Sequence, residues 1–261
     1  MNTSAKSGKM LTFDCYGASS VGARDNQEDA FALVKLPEGR DQLLVVADGM
    51  GGHVGGEIAS QVAVDAFVDC FAHNTKGDPH SRLKIALMMA NEALTERIRQ
   101  DPELDGMGTT LIAAYLNDQG LSWASVGDSM LLLVRDGDIR RLNDDHSMAP
   151  VIERQFLAGK LSREEADAHP ERSELLSVLM GWHSPDLIDC PRRPLDLIAG
   201  DRVIVATDGL QTLELGEIAQ IAGAGVNARI CVDLIMQATS NKNIIYQDNT
   251  AVAVAIIKNY T

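Results

Sequence analysis

The stretch LLVVADGMGGHVGGE, residues 43–57, decides which fold the chain can adopt, because one carboxylate separates an apolar run from five glycines. The Leu- and Val-rich run is typical of a buried strand, and a helical pattern follows it. Glycines at such a junction are compatible with a phosphate-binding loop, a metal site at a strand end, or a plain turn. The rest of the sequence has to distinguish these alternatives.

The composition predicts a soluble, acidic globular protein. Of 261 residues, 45% are hydrophobic, and 37 carboxylates against 23 Lys and Arg give a net charge of −14. This balance argues against nucleic acid or an anionic membrane surface as the main partner. Residues 1–11 lack the apolar segment of a signal peptide, and the longest apolar run, 251–257, is too short to span a bilayer. We expect a cytoplasmic protein with no membrane span.

Strands are predicted where runs of Val, Ile, Leu and Thr are bounded by turn residues. They are residues 11–19, 30–36, 42–47, 109–116, 121–126, 130–135, 202–207 and 250–258. Apolar residues at three- and four-residue spacing predict helices at 55–73, 81–99, 214–222 and 226–240. Direct hairpins mixed with helix pairs favour an α+β layered architecture in a single domain, residues 1–261.

Local signals refine this outline. Ser81 is a candidate N-cap for the second helix, and Asp136-Gly137 predicts a hairpin turn. A polar, helix-prone insertion covers residues 146–183. Within it, Ser162 followed by Glu165 has the spacing of a capping box and predicts a helix start.

Asp-Gly occurs four times, at 48–49, 105–106, 136–137 and 208–209. A turn is the usual explanation of such a pair, and the pair at 136–137 fits it fully. The pairs at 48–49 and 208–209 differ, because each closes a buried-looking strand and leads into a helix or a loop. These two pairs therefore call for another explanation.

Further carboxylates stand where predicted strands begin or end. The whole set is Glu28, Asp29, Asp48, Asp128, Asp208 and Asp248. If these strand ends meet at one edge of a sheet, the carboxylates raise one another's pKa unless cations neutralise them. An all-oxygen ligand set suits Mg²⁺ or Mn²⁺. The alternative is an acidic surface that only confers solubility.

Six short motifs stand out when the chain is read in order. They are RDNQEDA (24–30), VVADGMGGHVGGEIAS (45–60), GMGTT (106–110), SVGDS (125–129), ATDGL (206–210) and DNTAVAV (248–254). Together they resemble the metal-dependent phosphatases of the PP2C (PPM) family in their compact bacterial form. The resemblance covers residues 12–257. It implies an α-β-β-α sandwich of two antiparallel sheets flanked by helix pairs, with the active site in a cleft at one end.

The resemblance also implies a core site of two Mn²⁺ or Mg²⁺ ions and a third, weaker ion. By motif match, Asp48 bridges the two core ions and the Gly49 carbonyl ligates one of them. Asp208 and Asp248 complete the second ion's ligands.

The same motif match assigns the surrounding residues. Glu28 and Asp29 bind metal or orient metal-held water, and Asp128 holds the third ion together with Asp208. Arg24 is the phosphate-binding arginine, whose planar fork can hold two phosphate oxygens. A solvated surface charge is the alternative for Arg24.

The implied activity is protein serine/threonine phosphatase. A metal-activated water attacks phosphorus in line and hydrolyses phosphoserine or phosphothreonine. The implied partners are phosphoproteins and a bacterial Ser/Thr kinase whose action the enzyme opposes.

Several histidines are candidates for the acid that protonates the leaving alkoxide. Met50 follows the Asp-Gly pair where eukaryotic relatives have histidine, and the nearest histidine is His53. His53 could act as a general acid through water or only cap the following helix. His146 and His169 in the insertion are alternatives.

A second departure is Met130, where many relatives have arginine, which removes a charge beside the third-metal acid. The insertion at 146–183 matches the family's variable flap next to the cleft.

Two other functions compete with the phosphatase. A nicotinamide-nucleotide oxidoreductase could use the glycines of 49–55, but Val54 stands where the third glycine of GxGxxG belongs, and Asp48 would repel a pyrophosphate. A catalytically weak phosphatase fold that serves as a binding module is the second. The apparently complete set of acids argues against that module.

Overall fold

The computed structural model describes residues 10–36, 39–51 and 55–260, and in them strands and helices form separate layers. The strands are β1 (Leu11–Ser20), β2 (Asp29–Lys35), β3 (Gln42–Met50), β4 (Gly108–Thr109), β5 (Leu111–Asn117), β6 (Gly120–Val126), β7 (Met130–Arg135), β8 (Asp138–Arg141), β9 (Arg202–Ala206) and β10 (Thr250–Asn259). The α-helices are α1 (Gly55–His73), α2 (Pro79–Gln100), α3 (Ala149–Leu157), α4 (Arg163–Asp167), α5 (Leu215–Ala224) and α6 (Ala228–Asn241). Short 3₁₀ helices cover Pro102–Leu104 and Asp208–Thr212.

The strands form two antiparallel sheets. One sheet has the order β1-β10-β9-β7-β8, and the other has the order β2-β3-β5-β6, with the two-residue β4 pairing with the end of β3. Helices α1 and α2 pack on the second sheet, and α5 and α6 pack on the first. This arrangement confirms the predicted α-β-β-α sandwich.

The apolar run of β3 is continuous because both faces of its sheet are covered. Leu44 and Val46 point into the core between the sheets, whereas Leu43 and Val45 point toward α1 and α2. Side chains alternate between the two faces of a strand, so a strand buried on both sides needs apolar residues at every position.

The predicted N-cap of the second helix is wrong. Helix α2 begins at Pro79, and Asp78, in extended conformation, accepts a hydrogen bond from the Ser81 backbone N–H at 3.0 Å. Proline is well tolerated at the first helical position because its missing N–H would have no partner there. Ser81 therefore lies inside the first turn.

Two other local predictions are confirmed. Asp136 and Gly137 have φ values of 53° and 89° and join β7 to β8 as a hairpin. Ser162 caps α4, with Glu165 returning its side chain to the Ser162 backbone.

The segment after α4 runs to β9 without regular helix or strand. It is fixed to the sandwich by isolated bridges, among them Thr109 with Leu179 and Ser147 with Leu175. In the described part of the chain, no helix combines the length and the hydropathy needed to cross a membrane.

Candidate functional site

The ends of five strands bring the predicted carboxylates to one end of the sandwich. Asp29 opens β2 and lies opposite Asp48 of β3 in the antiparallel register. Asp208 follows β9 and Asp248 precedes β10, and these two strands are neighbours. Asp128 lies between β6 and β7.

All of these carboxylates except the buried Asp29 line one of two adjoining cavities. The first, of about 470 Å³, is lined by Arg24, Glu28, Asp48, Gly49 and Asp248 among others, and we call it the acidic cleft. The second, of about 600 Å³, contains Asp128 and Asp208.

Burial and mutual repulsion raise the pKa values of these acids. Burial raises the pKa of Asp29 to about 7 and that of Asp128 to about 7, and the charge of Asp208 adds to both. Burial also raises the pKa of Asp48 well above its ordinary value, with Asp208 as the next cause. The pKa of Asp208 is raised by burial and then by the Asp248 carboxylate. Without a counter-ion, these groups cannot all be ionised at neutral pH.

The oxygen donors fit a hard divalent cation. Asp29 Oδ1 and Asp208 Oδ1 are buried and have no hydrogen-bond partner, although buried polar atoms are nearly always paired. Oxygen ligands and clustered negative charge are what Mg²⁺ and Mn²⁺ prefer.

The side chains are nevertheless not arranged as a finished coordination shell. Within the described residues, no group of three or more His, Cys, Asp or Glu side chains is arranged to hold a metal ion. Asp248 is instead paired with the Arg24 guanidinium at the mouth of the cleft. The second oxygen of Asp29 accepts a hydrogen bond from the Thr207 hydroxyl at 2.8 Å. A cation bound to Asp248 would have to compete with Arg24, whereas the Thr207 contact leaves Asp29 Oδ1 without a partner.

Hydroxyl groups that the sequence analysis did not single out hold the acids in position. Thr207 donates to Asp29 and accepts from the Ala251 backbone N–H at 2.9 Å, which ties the two sheets together at the cleft. Thr110 Oγ1 accepts from the Asp48 backbone N–H at 3.0 Å and contacts the Ser129 hydroxyl at 2.8 Å.

Two amide side chains fasten the loops around the cleft. Asn249 accepts from the Glu28 backbone N–H at 2.7 Å and donates to the carbonyls of Val21 and Asn26. Gln247 accepts from the Thr212 hydroxyl at 2.6 Å and donates to the carbonyl of the Gly209 residue at 3.1 Å. Asn249 stands inside a matched motif, as do Thr110, Ser129 and Thr207, whereas Gln247 does not.

The glycines of the two Asp-Gly pairs allow close approach of backbones. A Cβ on Gly49 would lie 2.0 Å from the Gly56 carbonyl oxygen, and one on Gly209 would lie 2.0 Å from the Asn249 carbonyl oxygen. Gly49 lies within β3 and pairs with Thr109. In both pairs a neighbouring carbonyl oxygen leaves no room for a Cβ, which explains why each pair contains glycine.

The structure separates the candidate histidines. His53 lies outside the described residues. His146 is buried, its Nδ1 accepts from the Gly127 backbone N–H at 3.2 Å, and burial lowers its pKa. His169 is partly exposed and accepts a local hydrogen bond from the Glu171 backbone.

Arg141 supplies a positive charge close to Asp128. Its guanidinium donates to the Asp128 carbonyl at 2.7 Å, and its charge acts to lower the pKa of that carboxyl. Met130 is buried among the apolar residues that lie between the first sheet and helices α5 and α6. Arg141, in the following strand β8, therefore places a positive charge near Asp128, whereas Met130 carries none.

Comparison with known proteins gives consistent matches. Residues 16–234 match the family model described as protein phosphatase 2C. The serine/threonine protein phosphatase PstP of Mycobacterium tuberculosis is 31% identical over 224 residues, which are 84% of this chain and 41% of that protein. Protein phosphatase PhpP of Streptococcus pneumoniae is 30% identical over 215 residues, which are 81% of this chain and 84% of that protein.

Solved structures share the fold. The crystal structure of the catalytic domain of PstP in complex with two manganese ions superposes with a TM-score of 0.78 at 26% identity. The match covers 96% of this chain and 100% of that one. The present chain therefore resembles a catalytic domain, and it spans less than half of the M. tuberculosis PstP sequence.

Proposed function

The chain belongs to the protein phosphatase 2C family, and on that premise we propose that it is a Mn²⁺- or Mg²⁺-dependent protein serine/threonine phosphatase. The observation that carries the proposal is the pair of buried, unpartnered oxygens on Asp29 and Asp208, beside a cleft that also holds Arg24. A buried acid without a partner is costly, and a cation that neutralises it removes that cost. PstP, whose catalytic domain was crystallised with two manganese ions, supports the choice of metal.

The proposed metal-binding residues are carboxylates and one carbonyl that line the acidic cleft and its neighbour, together with the buried Asp29. The full set is Glu28, Asp29, Asp48, the Gly49 carbonyl, Asp128, Asp208 and Asp248. Bound there, Mn²⁺ or Mg²⁺ supplies Lewis acidity, which offsets phosphate charge and activates the attacking water.

The chain's own residues would bind and orient the substrate. Arg24 is half-exposed at the mouth of the cleft, where its guanidinium contacts Asp248. When substrate binds, phosphate oxygens would replace that carboxylate as the partner of the guanidinium. Thr207 and Thr110 would keep Asp29 and Asp48 in fixed orientations. His53 remains the proposed proton donor to the leaving alkoxide.

The rest of the proposal rests on sequence and family resemblance. It takes residues 1–261 as one phosphatase domain and residues 146–183 as a flap beside the cleft. It also includes phosphoserine and phosphothreonine proteins as substrates, an opposing Ser/Thr kinase, and a cytoplasmic location.

Hydrolysis of p-nitrophenyl phosphate and of a phosphothreonine peptide tests the activity. We expect turnover only with added Mn²⁺ or Mg²⁺. Asp208→Asn should lower the rate of hydrolysis by at least about 100-fold, because the loss of a metal ligand should cost more activity than the loss of a residue that only hydrogen-bonds to a ligand. Asp136→Asn changes an Asp-Gly pair that lies in an exposed hairpin turn, away from the carboxylate cluster, and it should keep full activity.

The outcomes separate the competing functions. Metal-independent turnover, or full activity in Asp208→Asn, would disprove the mechanism. Metal binding without turnover would favour the binding module. Quenching of nicotinamide fluorescence would favour the oxidoreductase.

A further inference from the structure

A groove of about 980 Å³ lies between the end of α2 and residues 175–186. Three large apolar side chains on its walls are exposed to solvent: Leu176 is 40% exposed, Met180 44% and Trp182 51%. Single exposed apolar residues are common on protein surfaces, but three within seven residues that line one groove indicate a binding surface.

The wall that carries Trp182 is fixed to α2. The buried Asn91 side chain donates to the carbonyls of Gly181 and His183, at 3.1 and 2.8 Å, and accepts from the Gly181 backbone N–H at 3.0 Å. Gly181 has a φ of 77°, and a Cβ there would lie 2.8 Å from the Thr95 backbone nitrogen. A wall that is already ordered loses little conformational entropy when a ligand binds.

The groove adjoins the acidic cleft through a short ladder of backbones. Thr109 pairs with Gly49 on one side, and on the other it exchanges two backbone hydrogen bonds of 2.9 Å with Leu179. A Cβ on Gly108 would lie 3.5 Å from Met50, which lines the cleft, and 3.1 Å from Met180, which lines the groove.

This ladder sets the distance between cleft and groove. Two steps between neighbouring strands of about 4.8 Å each give roughly 10 Å, which an extended peptide covers in about three residues. A protein segment whose phosphate lies in the cleft, and which runs from Gly49 toward Leu179, therefore brings its flanking residues to the edge of the groove.

We propose that the groove at Trp182 binds a large apolar side chain of the phosphoprotein substrate, about three residues from the phosphorylated serine or threonine. This inference rests on the proposed phosphatase function. Trp182 is the main anchor, because a tryptophan at an interface offers a large rigid apolar surface. The Arg99 guanidinium lies 5.6 Å from the centre of its ring and borders the groove.

Matched phosphothreonine peptides test the groove with the metal-loaded protein. One pair carries Leu or Ala three residues before the phosphothreonine, and a second pair carries them three residues after it. We expect kcat/KM for the Leu peptide of one pair to exceed that of its Ala partner by about 10- to 30-fold, mainly through KM.

Trp182→Ala should reduce this Leu-to-Ala ratio to near 1. Val226→Ala is the matched control, because Val226 is 76% exposed and does not line the groove. It should keep the ratio of the parent protein. Met180→Ala is a second groove variant and should reduce the ratio partially.

The small substrate p-nitrophenyl phosphate separates the two proposals, since it cannot reach from cleft to groove. If the parent protein does not hydrolyse it with metal, the phosphatase function fails and the groove assignment fails with it. If the parent hydrolyses it but treats Leu and Ala peptides alike, the groove assignment alone is wrong. Tyr246 lies in the exposed loop before Asp248 and does not line the groove. If the Leu-to-Ala ratio were lost in Tyr246→Ala but kept in Trp182→Ala, the apolar side chain would bind at that loop, and the groove assignment would be wrong.

Discussion

Gly209 shows how one methyl group can decide the geometry of the candidate metal site. A Cβ at this position would lie 2.0 Å from the Asn249 carbonyl oxygen and 2.5 Å from Thr250 Oγ1. Because the closer obstacle is backbone, Gly209→Ala must displace Asp208 or the start of β10. We expect a loss of about 1–3 kcal/mol in the free energy of unfolding. Hydrolysis of p-nitrophenyl phosphate should fall on the order of 10- to 100-fold.

Gly216→Ala in α5 is the matched control, since a Cβ there meets nothing within 4 Å. Alanine is favoured over glycine in a helix by about 1 kcal/mol, so this variant should be slightly more stable and equally active. Urea unfolding and phosphatase assays of both variants decide the matter. Equal effects at the two positions would show that Gly209 is not constrained by its neighbours.

At the scale of single residues, the sequence predicts the acidic residues of the site better than the residues that hold them in position. Asp48 and Asp208 could be found because a carboxylate that ends an apolar strand is unusual. Thr207 lies in the matched motif ATDGL, but its role could not be found, because its contact with Asp29 joins residues 178 positions apart. A threonine after a strand has many possible partners, and only the packing of the two sheets selects one.

At the scale of elements, the regular parts of the chain were predictable and the irregular part was not. Residues 43–47 of β3 are all apolar because both faces of the sheet are buried there. The two-residue β4 is too short to have a pattern. The wall that carries Trp182 has neither helical nor strand periodicity, and its position depends on Asn91 in a distant helix.

The N-cap of α2 provides an element-scale prediction. Asp78 accepts from the Ser81 backbone N–H at 3.0 Å, so Asp78→Ala leaves that donor without its cap. We expect Tm to fall by about 2–4 °C. Ser81→Ala removes only a side-chain hydroxyl that bonds to Asp78, and it should lower Tm by less. Thermal unfolding followed by circular dichroism compares the two, and a larger effect of Ser81→Ala would contradict the assignment of the cap.

At the scale of the whole molecule, the acidic cluster opposes folding when no metal is bound. An acid whose pKa is higher in the folded protein than in the unfolded chain binds more protons when folded, so stability falls as pH rises between the two values. For Asp29 and Asp128, that interval extends from the unfolded value near 4 to about 7. Below about pH 4 both acids are protonated in the folded and the unfolded protein, and the cluster then costs no stability. The free energy of unfolding of the metal-free protein should therefore fall as pH rises from about 4 to about 7.

Asp128→Asn tests this cost directly, because it removes one buried charge and keeps the shape of the side chain. In the presence of a chelator, the variant should match the parent near pH 4 and exceed its Tm by several degrees at pH 8. Each unit of pKa difference is worth about 1.4 kcal/mol, and about 1 kcal/mol shifts Tm by roughly 2–4 °C in a domain of this size.

Added Mn²⁺ should stabilise the parent and reduce the Tm difference between Asp128→Asn and the parent, since the cation then neutralises the carboxylates. Asp136→Asn, in an exposed turn, should show no such dependence on pH. A difference between Asp128→Asn and parent that is the same at pH 4 and pH 8 would mean that Asp128 carries no buried charge in the metal-free protein.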